Sequence, residues 1–332
     1  MPLVPLTLDP NQPADRFYAG GARIAEFRGT PWVGGNLPED WVGSSTTLFG
    51  EHELGLTRLP DGRLLRDVVA ADPVGWLGAA HVARFGADTM LLTKLLDAGQ
   101  RLPVHLHPDG AFAAEHLQRA HGKTEAWVVL RGGEVHLGLR RDLAPAEVRR
   151  LVAEQDVEVL LAAMHRVEVA PGDAVLVPAG LPHAIGAGVL LVEVQEPEDL
   201  SILLEWRGFA LDGERDGHLG LGFDLALQAA DLSGWSPERI DSLVVRRRGP
   251  GPVLPERAAE FFRVDRVLGG DPLAASFGVV VVTRGQGRLR AADDGWTATV
   301  GAGQTLLVPH GAGALALDGD VEALWCRPPQ AG

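Results

Sequence analysis

The sequence predicts a mainly β protein made of two β modules of the same plan, the first interrupted by short helices. Three observations carry this. Apolar runs of strand length, such as AWVVL, AVLVP and VLLVEV, end at glycines, prolines or polar residues. Strings near the C-terminus echo the first half: SFGVVVVTRGQG matches TEAWVVLRGGE, and VGAGQTLLVPHGAGA matches APGDAVLVPAGLPH. Two stretches, 108–124 and 144–164, break the strand pattern with helical character.

The elements follow in order. Residues 1–60 are rich in Gly, Pro and Trp; RIAEF, EDWVGSSTT and ELGLTRL read as strands and turns. Residues 64–85 read as a short helix and a loop, and MLLTKLLDA, from Met90, as a buried strand. Between His107 and Glu125 lies a short helix that Gly122 should cap. In 144–164, Val148, Leu151, Val152, Val159 and Leu160 recur at helical spacing, which predicts two short inserted helices. DGERDGHLGLG, with His218, is a loop. FDLALQAADLSGWSPERIDSLV is helical with a Ser-Pro start signal, and RRRGPGPVLP is a linker. The predicted boundaries are a first module over 1–225, a helical segment and linker over 226–252, and a second module over 253–332.

Composition excludes several function classes. The 332 residues can bury a large core. A net charge of −14 argues against nucleic acid and against an anionic membrane surface as partner. The long apolar stretch 174–194 is broken by prolines, glycines and His183, so strands explain it better than a membrane span. A single cysteine, Cys326, and no basic apolar leader predict a cytoplasmic protein. Of 30 basic residues, Lys94 and Lys123 are the two lysines. A compact ammonium kept in an arginine-biased chain suggests a point charge near a substrate oxygen.

The chemistry concentrates between Gly99 and His183. His105 and His107 are two apart, so on a strand they share a face. Glu125 opens AWVVL, and His183 follows AVLVP across a Pro-Ala-Gly-Leu-Pro turn. Imidazoles and one carboxylate suit a divalent transition metal. Alternation puts Glu193 and Gln195 on one strand face.

These spacings resemble the two cupin motifs. Gly99, His105, His107, Glu125 and Gly132 match the first, and Gly172, Pro178, Gly180 and His183 the second. HPD after the histidine pair, GKTE around Glu125, PAGLPHAIG at His183, KLLDAG before the pair and VEVQ after His183 resemble the type I phosphomannose isomerases in their short bacterial form. The resemblance implies two cupin (double-stranded β-helix, jelly-roll) barrels and a metal-dependent aldose–ketose isomerase acting on a sugar or sugar phosphate through an enediolate. It implies one divalent ion, zinc by preference, on His105, His107, Glu125 and His183. It also implies catalytic roles for Glu193, Asp199 and Lys123, and substrate contacts for Lys94, Lys123 and Gln195.

Three positions depart from the family pattern. His105 stands for a glutamine ligand, Pro103 for a serine expected to hold phosphate, and Leu203 for an active-site arginine. Arg207 lies about 13 Å further along an extended strand, a poor substitute. The losses predict drift toward an unphosphorylated sugar. The competing readings are a non-catalytic sugar-binding or sensor protein and an iron dioxygenase. In the second module Gly278 stands where Glu125 does and Ala314 where His183 does, so that module is expected to bind no metal.

Overall fold

The computed structural model describes residues 3–14, 16–292 and 295–331 and is mainly β. Its strands form three antiparallel sheets. The first has six strands in the order Val244–Val245, Ala174–Val177, Glu125–Arg131, Leu190–Gln195, Leu92–Asp97, Glu39–Val42. The second has five: Ile202–Leu203, His105–Leu106, His183–Ile185, Gly133–Leu139, Met164–Val169. Trp127 and Val129 of the first sheet share one core with Val135, Leu137, Val169 and Ile185 of the second.

Burial explains the sequence pattern. Leu92–Asp97 and Leu190–Gln195 are buried at every position, so they read as unbroken runs. Met164–Val169, at the sheet edge, buries its ends and leaves its middle partly or fully exposed. The inserted helices Pro145–Glu154 and Val157–Ala162 form where the periodicity placed them. They bury Val148, Val152 and Leu160 against Leu106, Ile202 and Leu204. Pro145 opens the first helix, where its missing N–H costs nothing.

Several local expectations fail, among them the loop over DGERDGHLGLG, where Gly213–Asp216 is helical and the Asp212 side chain accepts from the Arg215 N–H. RIAEF is not a strand but part of the helix Arg23–Arg28. The Asp97 carboxylate accepts from the Arg23 backbone N–H at 2.8 Å, and Gly29, at φ 65°, closes the far end. Both partners lie outside the five residues, so their periodicity could not reveal them. Gly122 does not cap the helical insertion. Gly110–Phe112 runs into a π-helical turn, Ala113–Leu117, and Gln118 ends it in the left-handed region at φ 56°. Residues 64–85 fold as three short helices, Leu65–Ala71, Pro73–Leu77 and Ala79–Phe85.

The third sheet carries the internal repeat. Gly278 pairs with Val308 as Glu125 pairs with Val177, each valine standing just before a proline. The sheet runs Leu6–Thr7, Thr305–Val308, Gly278–Ala291, Leu315–Arg327, Arg263–Leu268, Gly251–Pro252, with Pro272–Leu273 and Thr297–Gly301 off this path. Each module takes an edge strand from outside its main span. Leu6–Thr7 joins the C-terminal sheet, and Val244–Val245 joins the first sheet beside Ala174–Val177. Edge strands covered this way no longer offer open backbone groups. Cys326 is buried, and burial pushes its thiol up to about 12. Among the described residues no helix is long and apolar enough to cross a membrane.

Gly99 shows why the first motif begins on glycine. A Cβ there would lie 2.3 Å from the Gly20 carbonyl carbon, and backbone cannot yield as a flexible side chain can. Gly99→Ala should therefore cost about 1–3 kcal/mol in a denaturant titration. Gly249→Ala, with nothing within 4 Å, should stay within about 0.5 kcal/mol. Equal effects at the two positions would contradict this packing account.

Candidate metal centre

The site lies between the first two sheets and takes different chemistry from each. Strand register in the second sheet sets His105 directly opposite His183. In the first sheet Lys94, Glu193 and Trp127 stand side by side on neighbouring strands, with Gln195 beside Glu125. Imidazoles thus come from one wall and carboxylates and ammonium groups from the other.

The three histidines are oriented by their backbones. Their Nδ1 atoms meet the carbonyl oxygens of Pro103 (2.8 Å), Leu200 (2.6 Å) and Leu181 (2.8 Å) for His105, His107 and His183 respectively. A carbonyl only accepts, so each Nδ1 carries the hydrogen and each Nε2 keeps its lone pair. One ligand atom from each ring lies within 4.8 Å of the others. The His183 Nε2 is buried and has no hydrogen-bond partner. An orphaned imidazole lone pair inside a core is costly unless a cation or donor takes it. Carbonyl-braced histidines are also how metal ligands are held. Glu125 lies beside this group: its oxygens are 3.0 Å from the His107 Nε2 and 3.4 Å from the His183 Nε2. The indole of Trp127 donates to the same carboxylate at 2.9 Å. The three imidazoles could hold a divalent cation, and the Glu125 carboxylate lies beside them.

Electrostatics support the same arrangement. Burial and the neighbouring His183 hold His105 well below its ordinary value. Burial and Lys123 lower His107 to about 3. Both rings are neutral ligands at physiological pH. Burial pushes Glu125 upward, but Lys123 and His107 outweigh it and keep the carboxylate ionised. Lys123 donates to Glu125 at 2.5 Å and lies 2.9 Å from the His107 Nε2. Burial lowers its affinity for the proton, but Glu125 and Glu193 more than restore it, so it stays charged.

The other expected residues separate into two groups. Lys94, Lys123, Glu193 and Asp199 line the cavity that His105 and Glu125 also line. The Glu193 Oε1 sits 3.6 Å from the Lys94 Nζ and 3.7 Å from the Lys123 Nζ and makes no hydrogen bond. Burial, with the nearby charge of Glu125, raises its pKa. Asp199 accepts from the Phe49 N–H at 3.2 Å. Gln195 is buried outside that lining; its amide donates to the carbonyls of Glu196 and Glu198 and braces the loop leading to Asp199. Arg207 points away, bonded to the Glu154 carbonyl.

Among the cavity residues that escaped the sequence reading are the polar side chains of Arg16, Tyr18, Glu39 and Ser201. Tyr18 hydrogen-bonds Glu39, which also accepts from the Trp41 indole at 2.7 Å. Burial pushes Glu39 up, yet Arg16 and Lys94 hold it at about 2. Glu39 lies two residues from Trp41 in EDWVGSS, a stretch read only as strand and turn; no signal marked Arg16 or Tyr18, in an irregular segment.

No family model matches the chain. Over 182 residues it is 34% identical to a mannose-6-phosphate isomerase of Streptococcus mutans, covering 51% of this chain and 54% of that protein. Over 192 residues it is 31% identical to a mannose-6-phosphate isomerase of Bacillus subtilis, covering 56% of each. The chain thus spans about half the length of the curated relatives it matches. Its fold resembles the crystal structure of the mannose 6-phosphate isomerase from Bacillus subtilis, with a TM-score of 0.74 over 98% of this chain and 99% of that one. Identity there is 21%, a likeness of fold. The resemblance to phosphomannose isomerases read from the motifs is borne out.

The depressed histidines make a prediction for the metal-free protein. Unfolded histidine binds a proton below about 6.5. The buried rings do not, down to about pH 3 for His107. The unfolded state therefore gains protons first as pH falls. Stability should drop from about pH 6.5 toward 3, by about 1.4 kcal/mol per pH unit for each such ring. Denaturant titrations across that range should show His107→Gln flattening the slope; an unchanged slope would contradict the assignment.

Proposed function

We propose that the chain is a metal-dependent aldose–ketose isomerase that interconverts a sugar of the mannose type and its ketose through an enediolate. One observation carries this: a narrow cavity lined by His105, one of three converging histidines, is also lined by the carboxyl group of Glu193, standing between two ammonium groups. Named relatives over half the chain support the same class. His105, His107, Glu125 and His183 would hold the ion. Bound there, a divalent cation supplies Lewis-acid polarisation of substrate oxygens. Three imidazoles and a carboxylate suit zinc, manganese, cobalt or iron, and the resemblance to phosphomannose isomerases favours zinc.

The chain's own residues supply the proton chemistry. Isomerisation moves one proton from C2 to C1 of the sugar and one from O2 to O1, and the oxygens carry negative charge midway. Glu193 accepts the proton from one carbon and returns it to the other. Its raised pKa brings it nearer the working pH, which is what a proton carrier needs. Lys94 and Lys123 keep their charge close to the developing enediolate, as two fixed cations in a cavity shielded from water. Lys123 would give up its contact with the His107 Nε2 if that lone pair held an ion, and Glu193 would remain its nearby acceptor at 3.7 Å. Asp199 sits at the cavity mouth beside Arg16 and orients the incoming sugar.

The finer reading is a sugar without phosphate. Pro103 lines the inner cavity and Leu203 the outer cleft, so neither a hydroxyl nor a guanidinium stands at those positions. The cytoplasm is the proposed location, in keeping with a lone, buried, unreactive thiol.

Metal analysis should find one divalent ion per chain, and chelation should abolish turnover until metal is returned. Glu193→Gln should lower kcat by about 10²–10⁴-fold with the metal retained. Initial rates with mannose, pentoses and mannose 6-phosphate test the substrate. A strong preference for the phosphate ester overturns the drift, and metal with sugar binding but no turnover overturns the isomerase.

A further inference from the structure

We infer that Arg16, with Ser201 and Asp199, forms a hydroxyl-reading subsite for the end of the sugar remote from its carbonyl, making Arg16 a specificity-determining residue for an uncharged sugar. This rests on the isomerase reading above and goes beyond it in assigning the recognition to an N-terminal residue.

Position comes first. Arg16, Phe17, Asp199 and Ser201 line both the inner cavity and a neighbouring outer cleft of about 510 Å³. The inner space is narrow, about 30 Å³, and the metal-ligand candidates His105 and Glu125 line it. A sugar whose carbonyl end reaches those residues therefore leaves its other end among the shared four.

Arg16 has donors to spare. Its side chain is 10% exposed, yet its contacts are loose: Nη2 donates to Glu39 at 3.4 Å, Nε stands 3.4 Å from the other oxygen of that carboxylate, and Nη1 stands 3.8 Å from Asp199. Its Nε is buried without a hydrogen-bond partner. A guanidinium has five N–H donors in a rigid fork, so a buried one held this loosely is poised for oxygens arriving from elsewhere. No described residue hydrogen-bonds the Ser201 hydroxyl. Donor, acceptor and a group that does both thus face one passage, the set that adjacent sugar hydroxyls need.

Charge decides between sugar and sugar phosphate. Arg16 lies between two carboxylates, Glu39 and Asp199. Arg215, in the outer cleft, is bound by both oxygens of Asp216, at 2.8 and 2.7 Å. Each cation of the passage already has its anion. A dianionic phosphate finds no surplus positive charge there, whereas a polyol can bridge Arg16 and Asp199 without displacing either.

The test uses the metal-loaded protein with two probes: mannose for turnover, and mannitol, which cannot isomerise, for calorimetric binding. Arg16→Ala and Ser201→Ala should raise the KM for mannose and weaken mannitol binding by about tenfold or more, with kcat within about threefold. Mannose 6-phosphate should compete no better than mannose. If melting curves show that Arg16→Ala fails to fold, Arg16→Lys and Ser201→Ala carry the test. Turnover of mannose with KM and mannitol affinity unchanged in the variants overturns the subsite and leaves the isomerase standing. Mannitol binding lost on substitution, with no turnover of any sugar by the unaltered protein, supports the subsite and sinks the isomerase. Tighter use of mannose 6-phosphate, lost in Arg16→Ala, overturns the uncharged-sugar assignment.

Discussion

Everything near the site depends on keeping ionised groups in a β core without leaving any alone. Glu39, Glu125, Glu193 and Asp199 line one cavity with Arg16, Lys94 and Lys123. Removing such charges from water costs several kcal/mol each unless partners replace the solvent. The cavity meets this by alternation. Arg16 stands between Asp199 and Glu39, Lys94 between Glu39 and Glu193, and Lys123 between Glu193 and Glu125. The imidazoles continue the series from Glu125. At that end His105, His107 and His183 converge as a group that could hold a metal ion. The ladder also keeps Glu193 poised, since two cations restrain a pKa that burial and Glu125 raise.

The parts of this ladder that lie on regular strands were legible in the sequence. His-x-His on one strand face, Glu125 at a strand start and His183 after a tight turn are local patterns with local causes. Glycines marked the same elements: Gly172 and Gly180 adopt φ of 85° and 83°, and Gly132 has the Val169 carbonyl 2.4 Å from where its Cβ would lie. Lys94 and Lys123 were visible as the two lysines of an arginine-biased chain. The inserted helices announced themselves by periodicity.

What stayed hidden is held by distant partners. Arg16 and Tyr18 come from a segment without periodicity, and their meaning lies in Glu39 and Asp199, the latter far along the chain. The helix Arg23–Arg28 depends on Asp97 for its N-terminal bond. Gln195 shared a strand face with Glu193, as alternation required, yet its amide turns to the carbonyls of its own loop. Alternation fixes which way a side chain leaves the backbone; it does not fix what the end of that side chain meets.

The second module bears on the site through this same ladder. Glu39 and Trp41 sit on the outermost strand of the six-stranded sheet, the position least held by backbone pairing. That strand runs straight into Gly43, at φ 61°, where a Cβ would lie 3.0 Å from Leu307 and 3.2 Å from Val279 of the second module. Leu6–Thr7 pairs with Thr305–Val308 next to this contact, and Asn11, four residues on, donates to the Trp41 carbonyl and receives a bond from the Trp41 N–H. The C-terminal sheet thus backs the strand that positions Glu39, and Glu39 in turn anchors Arg16 and Lys94. A module with Gly278 in the glutamate position still bears on the cavity, by backing the strand that carries the carboxylate between Arg16 and Lys94.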